Sequence, residues 1–369
     1  MYSNNDSVST SQMINIVILT MVGVGALTLP QGLAESAGAD GWVVLITGAL
    51  VAIGISFVHG YIVKSFPGKG FFEILSFTLT KPMAYAVGIY TTLYFIGMTG
   101  YVVRIFSDVV KTFLLPRTPV EVIFILMLLV SIYLVRGGIE VLGRMAELII
   151  IPLGVLIIIL FTISWQNMDI SNLLPIFQLS FSDLLQGVVF ALFSFLGFEV
   201  LLIFGGFLNE PKKATKIGLF AIAITLLLYL MLNASVLGVL GEQQLEHLTW
   251  PLLNLFGIIE LPGAFIENVQ AFVMVIWTIT IFTTIAPFYL AATVFTMQMT
   301  GGKEHRYYAL PILPLVFMFA RWDGNIAAVY ENLGVFTDYT AYGVVILIPI
   351  GVALSTMLRR TKKMGKEVG

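Results

Sequence analysis

Two short segments, half a chain apart, carry residue types suited to holding a small polar molecule. The first is Gly23-Val24-Gly25-Ala26-Leu27-Thr28-Leu29-Pro30 and the second is Ser194-Phe195-Leu196-Gly197-Phe198-Glu199. Each lies inside a long apolar run, where a membrane helix should be unbroken. Glycine adds backbone entropy to a helix, and proline removes an N–H donor. In hydrocarbon, a freed backbone polar group is costly unless protein or a wet cavity satisfies it. Paired interruptions at mid-bilayer depth therefore point to a binding site between helices.

The chemistry they suit is non-covalent recognition of a zwitterion. A first helix unwound at Gly23 and Gly25 would offer free N–H groups and the positive end of a half-helix dipole to a carboxylate. Thr28 adds a hydroxyl. Carbonyls released near Phe195 and Gly197 would face an ammonium. The competing role for Gly23 and Gly25 is close helix packing. Glu199 is the deepest acidic residue, and an ionisable group at that depth marks a functional site by default. Three roles are open to it: a protonated donor, a proton relay, or an acceptor for backbone N–H groups loosened by the break.

Further candidates lie on neighbouring helices. Tyr94, Met98 and Tyr101 are spaced to share a face of the third apolar run. Thr283 and Thr284 precede Pro287 in the eighth, although threonines in membrane helices often bond their own i−4 carbonyls. Arg104 and Asp108, four residues apart, are placed to pair, and Arg144 reads as a partner for Glu147. No run combines a nucleophile, a base and an orienting group, so catalysis is not expected. Cysteine is absent and the three histidines lie far apart, so no metal site or cofactor is expected. A net charge of −2 offers no basic surface for nucleic acid.

The elements that must position these residues are membrane helices. Of 369 residues, 58% are hydrophobic and 11% charged, against about 25% charged in soluble proteins; mean hydropathy is +0.97. At about 20 apolar residues per span, ten are read, near 11–33, 41–64, 82–114, 119–136, 141–164, 183–207, 215–240, 264–299, 308–321 and 340–358. Fifteen lysines and arginines fall at one set of ends and only Arg117 and Arg321 at the other, which places both termini in the cytoplasm. Residues 65–80 are expected to carry a short cytoplasmic amphipathic helix, and 241–263 either an outer-surface hairpin capping the bundle or an ordinary interfacial loop. Five spans followed by five must invert, so spans one and six become counterparts, both interrupted. The expected fold is an all-α polytopic membrane protein: a single domain over 1–369, with ten transmembrane helices in a five-plus-five inverted repeat (about 11–164 and 183–358) and broken helices one and six.

The glycine motif Gly23-Val24-Gly25, with Phe195-Leu196-Gly197-Phe198-Glu199 and Asn209-Glu210-Pro211-Lys212-Lys213, resembles the amino acid–polyamine–organocation transporter superfamily. A narrower resemblance covers nearly the whole chain. It rests on Gly25 to Pro30, Phe113-Leu114-Leu115-Pro116-Arg117-Thr118-Pro119, Arg136-Gly137-Gly138-Ile139 with Arg144, Ser194 to Glu199, Trp277 with Phe282-Thr283-Thr284, and Trp322-Asp323. In these the chain is similar to the B subunits of spore germinant receptors. That resemblance implies a ten-helix subunit in the spore inner membrane. It would sense a small nutrient, often an amino acid, together with A and C subunits. A proton-coupled amino-acid transporter and a ligand-gated ion or water conduit are the alternatives.

Overall fold

The computed structural model describes residues 6–258 and 269–367. The helices are α1 (Thr10–Ala37), α2 (Gly41–Ser65), α3 (Phe71–Thr78), α4 (Lys81–Phe113), α5 (Val120–Asn167), α6 (Phe181–Ser194) and α7 (Val200–Phe204). There follow α8 (Ala214–Leu240), α9 (Glu242–Leu245), α10 (Pro251–Ile258), α11 (Val269–Thr300), α12 (Arg306–Arg321), α13 (Ile326–Ala341) and α14 (Ile348–Glu367). A π-helical turn, Tyr342–Leu347, joins the last two. Among the described residues there is no β-ladder, only an isolated bridge. Val8 N–H donates to Phe207 O, and Asn209 N–H donates to Val8 O, tying the N-terminus beside the end of α7.

Six helical stretches among the described residues are long and apolar enough to cross a membrane. Their burial separates centre from rim. In the apolar window of α11, 72% of residues are buried and in α4 67%, against 24% in α5, which is also the most hydrophobic. A helix both apolar and uncovered belongs against lipid, and Leu126, Leu148, Ile151 and Ile158 of α5 face outward accordingly. The centre is built by α1 against α8, α11 and α6, with α4 packed on α11 and α2 on α8.

Several boundaries differ from expectation. The fourth and fifth spans are one continuous assignment joined across a kink at Gly138, whose φ of 83° is a conformation that favours glycine. A Cβ there would also lie 2.9 Å from Asp6 Oδ1. The last pass begins at Ile326 rather than near 340; Tyr330, Glu331, Asn332 and Asp338 depress the hydropathy of its first turns. The stretch 65–80 carries a short helix, α3, with Phe71, Phe72, Ile74 and Leu75 buried. The segment 241–258 carries α9 and α10, where Leu245, Trp250, Leu252, Leu253 and Phe256 are buried; residues 259–263 lie outside the described chain.

The interruption in the first helix is corrected. α1 is helical from Thr10 through Gly23, Gly25 and Pro30 to Ala37. The glycines serve close approach instead. A Cβ on Gly23 would lie 1.9 Å from Thr284 Oγ1, and one on Gly25 would lie 2.6 Å from the Tyr229 hydroxyl and 2.8 Å from Ser194 O. The sixth helix is broken as expected: α6 ends at Ser194, five residues of turn follow, and α7 starts at Val200.

A candidate ligand site at the break of the sixth helix

Gly197, in the turn between α6 and α7, adopts φ 125°, a conformation that favours glycine. Its Cα faces the backbone of α1, and a Cβ there would be 3.0 Å from Met21 N and from Thr20 C. The break leaves N–H groups without helical partners, and Glu199 answers one of them. Its Oε2 accepts from Gly197 N at 2.7 Å, while Oε1 accepts from the Tyr94 hydroxyl at 2.6 Å. Glu199 and Tyr94 are both buried. Of the three roles open to Glu199, the structural acceptor is the one whose partners are in place. The carboxylate also ties α4 to the turn.

The opposite side of the turn is held by hydroxyls. Tyr229 of α8 lies 2.8 Å from Met21 O and 2.9 Å from Ser194 O, sharing one proton between carbonyls of α1 and α6. Thr284 of α11 donates to Leu19 O at 2.8 Å. Leu19 and Met21 are the i−4 carbonyls for Gly23 and Gly25, so the glycine segment is where side chains from two other helices reach the backbone of α1. The Phe195 ring is buried against Tyr229, with centroids 5.4 Å apart.

Gly23, Gly25, Phe195, Gly197, Glu199, Tyr94 and Thr284 thus converge. The remaining candidates do not join that centre by any polar contact. Thr283 donates to Thr280 O within its own helix, at 2.5 Å. Tyr101 packs on Phe319 and Phe336, and Met98 is buried in the apolar core. Thr28 instead lines a cavity of about 500 Å³ between α1, α6 and α13. Tyr229 escaped the sequence reading, although a lone tyrosine in the apolar run Leu226 to Leu232 was a signal, because a buried phenol needs a partner. His59 escaped too. It is buried, with Nε2 2.8 Å from Val345 O and its ring stacked on Phe198 at 5.2 Å.

Arg104 and Asp108 pair at 2.8 Å as expected, and Arg104 also donates to Ala320 O and Asp323 O, closing the end of α12. Arg144 differs: it pairs with Glu140, and Glu147 accepts from Gln12 of α1. Both acids sit one turn from Arg144, and the α1 packing claims Glu147.

The centre is rich in acceptors: the carbonyls of Leu19, Met21 and Ser194 and the carboxylate of Glu199, each met by a hydroxyl or an N–H. Hydroxyls can turn, so this set suits an incoming group that donates N–H bonds. A carboxylate cradle at Gly23 and Gly25 is not formed, because Thr284 and Tyr229 occupy the space beside them.

Comparison with known proteins bears on this arrangement. A family model described as spore germination protein matches residues 7–328. Spore germination protein A2 of Bacillus subtilis (strain 168) is 31% identical over 336 residues, 90% of each chain. Spore germination protein GerLB of Bacillus cereus is 28% identical over 344 residues, 92% of each. Among solved structures, MhsT in complex with L-phenylalanine matches with TM-score 0.69 at 14% identity, covering 94% of this chain and 88% of that one. The nucleobase-cation-symport-1 family transporter MHP1, with bromovinylhydantoin bound, matches with TM-score 0.62 at 11% identity, over 89% and 75%. The polytopic all-α fold is therefore shared with MhsT and with the transporter MHP1.

Proposed function

Because the chain belongs to the spore germination protein family, an integral membrane family, we propose that it is the nutrient-sensing membrane subunit of a germinant receptor. Its ligand is a small nutrient with an ammonium, an amino acid first among them, bound where α1 meets the broken sixth helix. A and C subunits read the result. The proposal includes ten passes in two inverted repeats, about 11–164 and 183–358, in the spore inner membrane with both termini on the cytoplasmic side.

The observation that carries this reading is the pair of hydroxyl bridges, Tyr229 to Met21 O and Ser194 O, and Thr284 to Leu19 O. A ligand ammonium taking over those carbonyls would release α8 and α11 from α1. Binding then shifts the packing of the bundle by no more than the ligand's difference in affinity for the two arrangements. Support also comes from the fold, shared with MhsT, which was solved in complex with L-phenylalanine.

The test is the purified chain in liposomes with labelled L-alanine and other amino acids, alone and with its partner subunits. Saturable binding without accumulation is expected, strengthened by Tyr229→Phe or Thr284→Val, which remove the hydroxyls that compete with the ammonium for Met21 O, Ser194 O and Leu19 O. Accumulation driven by a proton gradient would make the chain a transporter instead. A folded chain that binds no nutrient even with its partners would reduce the bridges to packing.

A further inference from the structure

We propose that the cavity between α1, α6 and α13 is a second binding site, one that takes an apolar primary amine. At about 500 Å³ it falls within the range of small-molecule pockets, roughly 300–1,000 Å³. Phe190, Phe193, Leu196 and Phe198 form one wall, and Leu333 and Val345 another. Phe190 is seated across Gly32, where a Cβ would meet its ring at 2.1 Å, so the aromatic wall is built against the bare backbone of α1.

The charge of the lining selects the ligand. It contains two carboxylates, Glu35 and Asp338, and no lysine, arginine or histidine. Glu35 accepts from Gln31 near the end of α1. Asp338 lies inside the last apolar pass, and among the described residues no ion pair or hydrogen bond meets its carboxylate. An acidic side chain within a membrane span faces a wet cavity or a cation. This one opens on a cavity whose other walls are mainly aromatic and aliphatic, with Thr28, Gln31, Thr249 and Thr337 among them. An ammonium on an apolar body satisfies both halves: the carboxylate neutralises the charge and the rings take the body, with cation–π attraction added. An anionic lipid headgroup or a free carboxylate is repelled. The cavity adjoins the Glu199 centre, sharing its turn through Leu196 and Phe198, but its charge rests on Asp338 of α13, so the inference does not depend on the sensing role.

The experiment is equilibrium dialysis of the detergent-solubilised chain with 2-phenylethylamine, 2-phenylethanol and 3-phenylpropanoate, three probes of one shape and different charge. The amine is expected to bind saturably, the alcohol about tenfold or more weakly, as loss of a charge-assisted bond implies, and the propanoate more weakly than either. Asp338→Asn should bring the amine down to the level of the alcohol. Gly334→Phe should abolish binding of the amine; Gly334 lines the cavity and a Cβ there meets nothing within 4 Å, so the added side chain starts into open space. Labelled L-alanine binding in the same variants separates this site from the centre. Equal binding of amine and alcohol would show an ordinary lipid-filled crevice and overturn the proposal. So would amine binding that survives Asp338→Asn or Gly334→Phe.

Discussion

The Tyr94 hydroxyl donates to Glu199 Oε1 at 2.6 Å, joining the middle of α4 to the turn that breaks the sixth helix. Because Glu199 Oε2 takes the Gly197 N–H, both carboxylate oxygens act as acceptors in a buried place. Tyr94→Phe leaves one of them unpaired, at a cost of about 1–3 kcal/mol. Glu199→Gln puts an amide donor against either the phenol or the Gly197 N–H. The phenol can turn to accept and the N–H cannot, so Glu199→Gln should cost less than Glu199→Ala, which strips both bonds. Thermal unfolding in detergent ranks the three, and a Glu199→Gln protein as unstable as Glu199→Ala would contradict the acceptor role.

The glycines of α1 are open to a similar test. Gly23→Ala sets a Cβ 1.9 Å from Thr284 Oγ1 and 2.8 Å from Thr284 Cβ, an overpacking of the kind that costs roughly 1–3 kcal/mol. Thr284→Ala removes the nearer atom and keeps the other. The double variant should therefore recover part of the loss, and a double-mutant cycle on unfolding midpoints should show coupling between the two positions. Additive effects would mean that the helices do not approach here.

What the sequence disclosed follows from which physical signals are local. Runs of apolar residues are a local signal, so the apolar helices were legible, as were α3 and the two short helices α9 and α10 from their aromatic and leucine residues. The segment Gly23 to Pro30 was read as a break and is helical instead: a glycine that breaks a helix and one that admits a neighbour's hydroxyl are identical in sequence. Gly197 differs because φ 125° leaves few alternatives to glycine. Tyr229 and His59 were missed since their partners, Met21 O, Ser194 O and Val345 O, are backbone atoms from distant parts of the chain. No spacing rule reaches those.

Asp40 provides a prediction about the connection between the two halves. Its buried carboxylate accepts from the N–H groups of Phe177 and Gln178, both at 2.6 Å, and of Leu179 at 3.0 Å, fastening the loop before α6 to the start of α2. The loop itself is largely exposed, so water replaces the lost bonds and the effect should be local rather than global. Amide hydrogen exchange at Phe177, Gln178 and Leu179 is expected to accelerate sharply in Asp40→Ala and less in Asp40→Asn. Unchanged protection at those three amides would show that the loop is held by something else.

His305, in the loop between α11 and α12, gives a pH dependence. Burial lowers its pKa below the ordinary 6.5; nearby Asp6, the bond to Val135 O and Glu304 act to raise it, and Arg306 adds to the lowering. The imidazole is therefore held neutral, with Nε2 3.0 Å from Val135 O beside the Gly138 kink. An unfolded chain takes up a proton at this histidine before the folded one does, so its contribution is complete above pH 6.5 and is lost as the pH falls through the folded value. Wild-type unfolding midpoints in detergent should drop as the pH is lowered from about 7 to about 5. In His305→Gln, which keeps a donor but does not titrate, that part of the slope should disappear. A variant whose midpoint falls as steeply as the wild type over the same interval would assign the slope to other groups and leave His305 a packing residue at the kink.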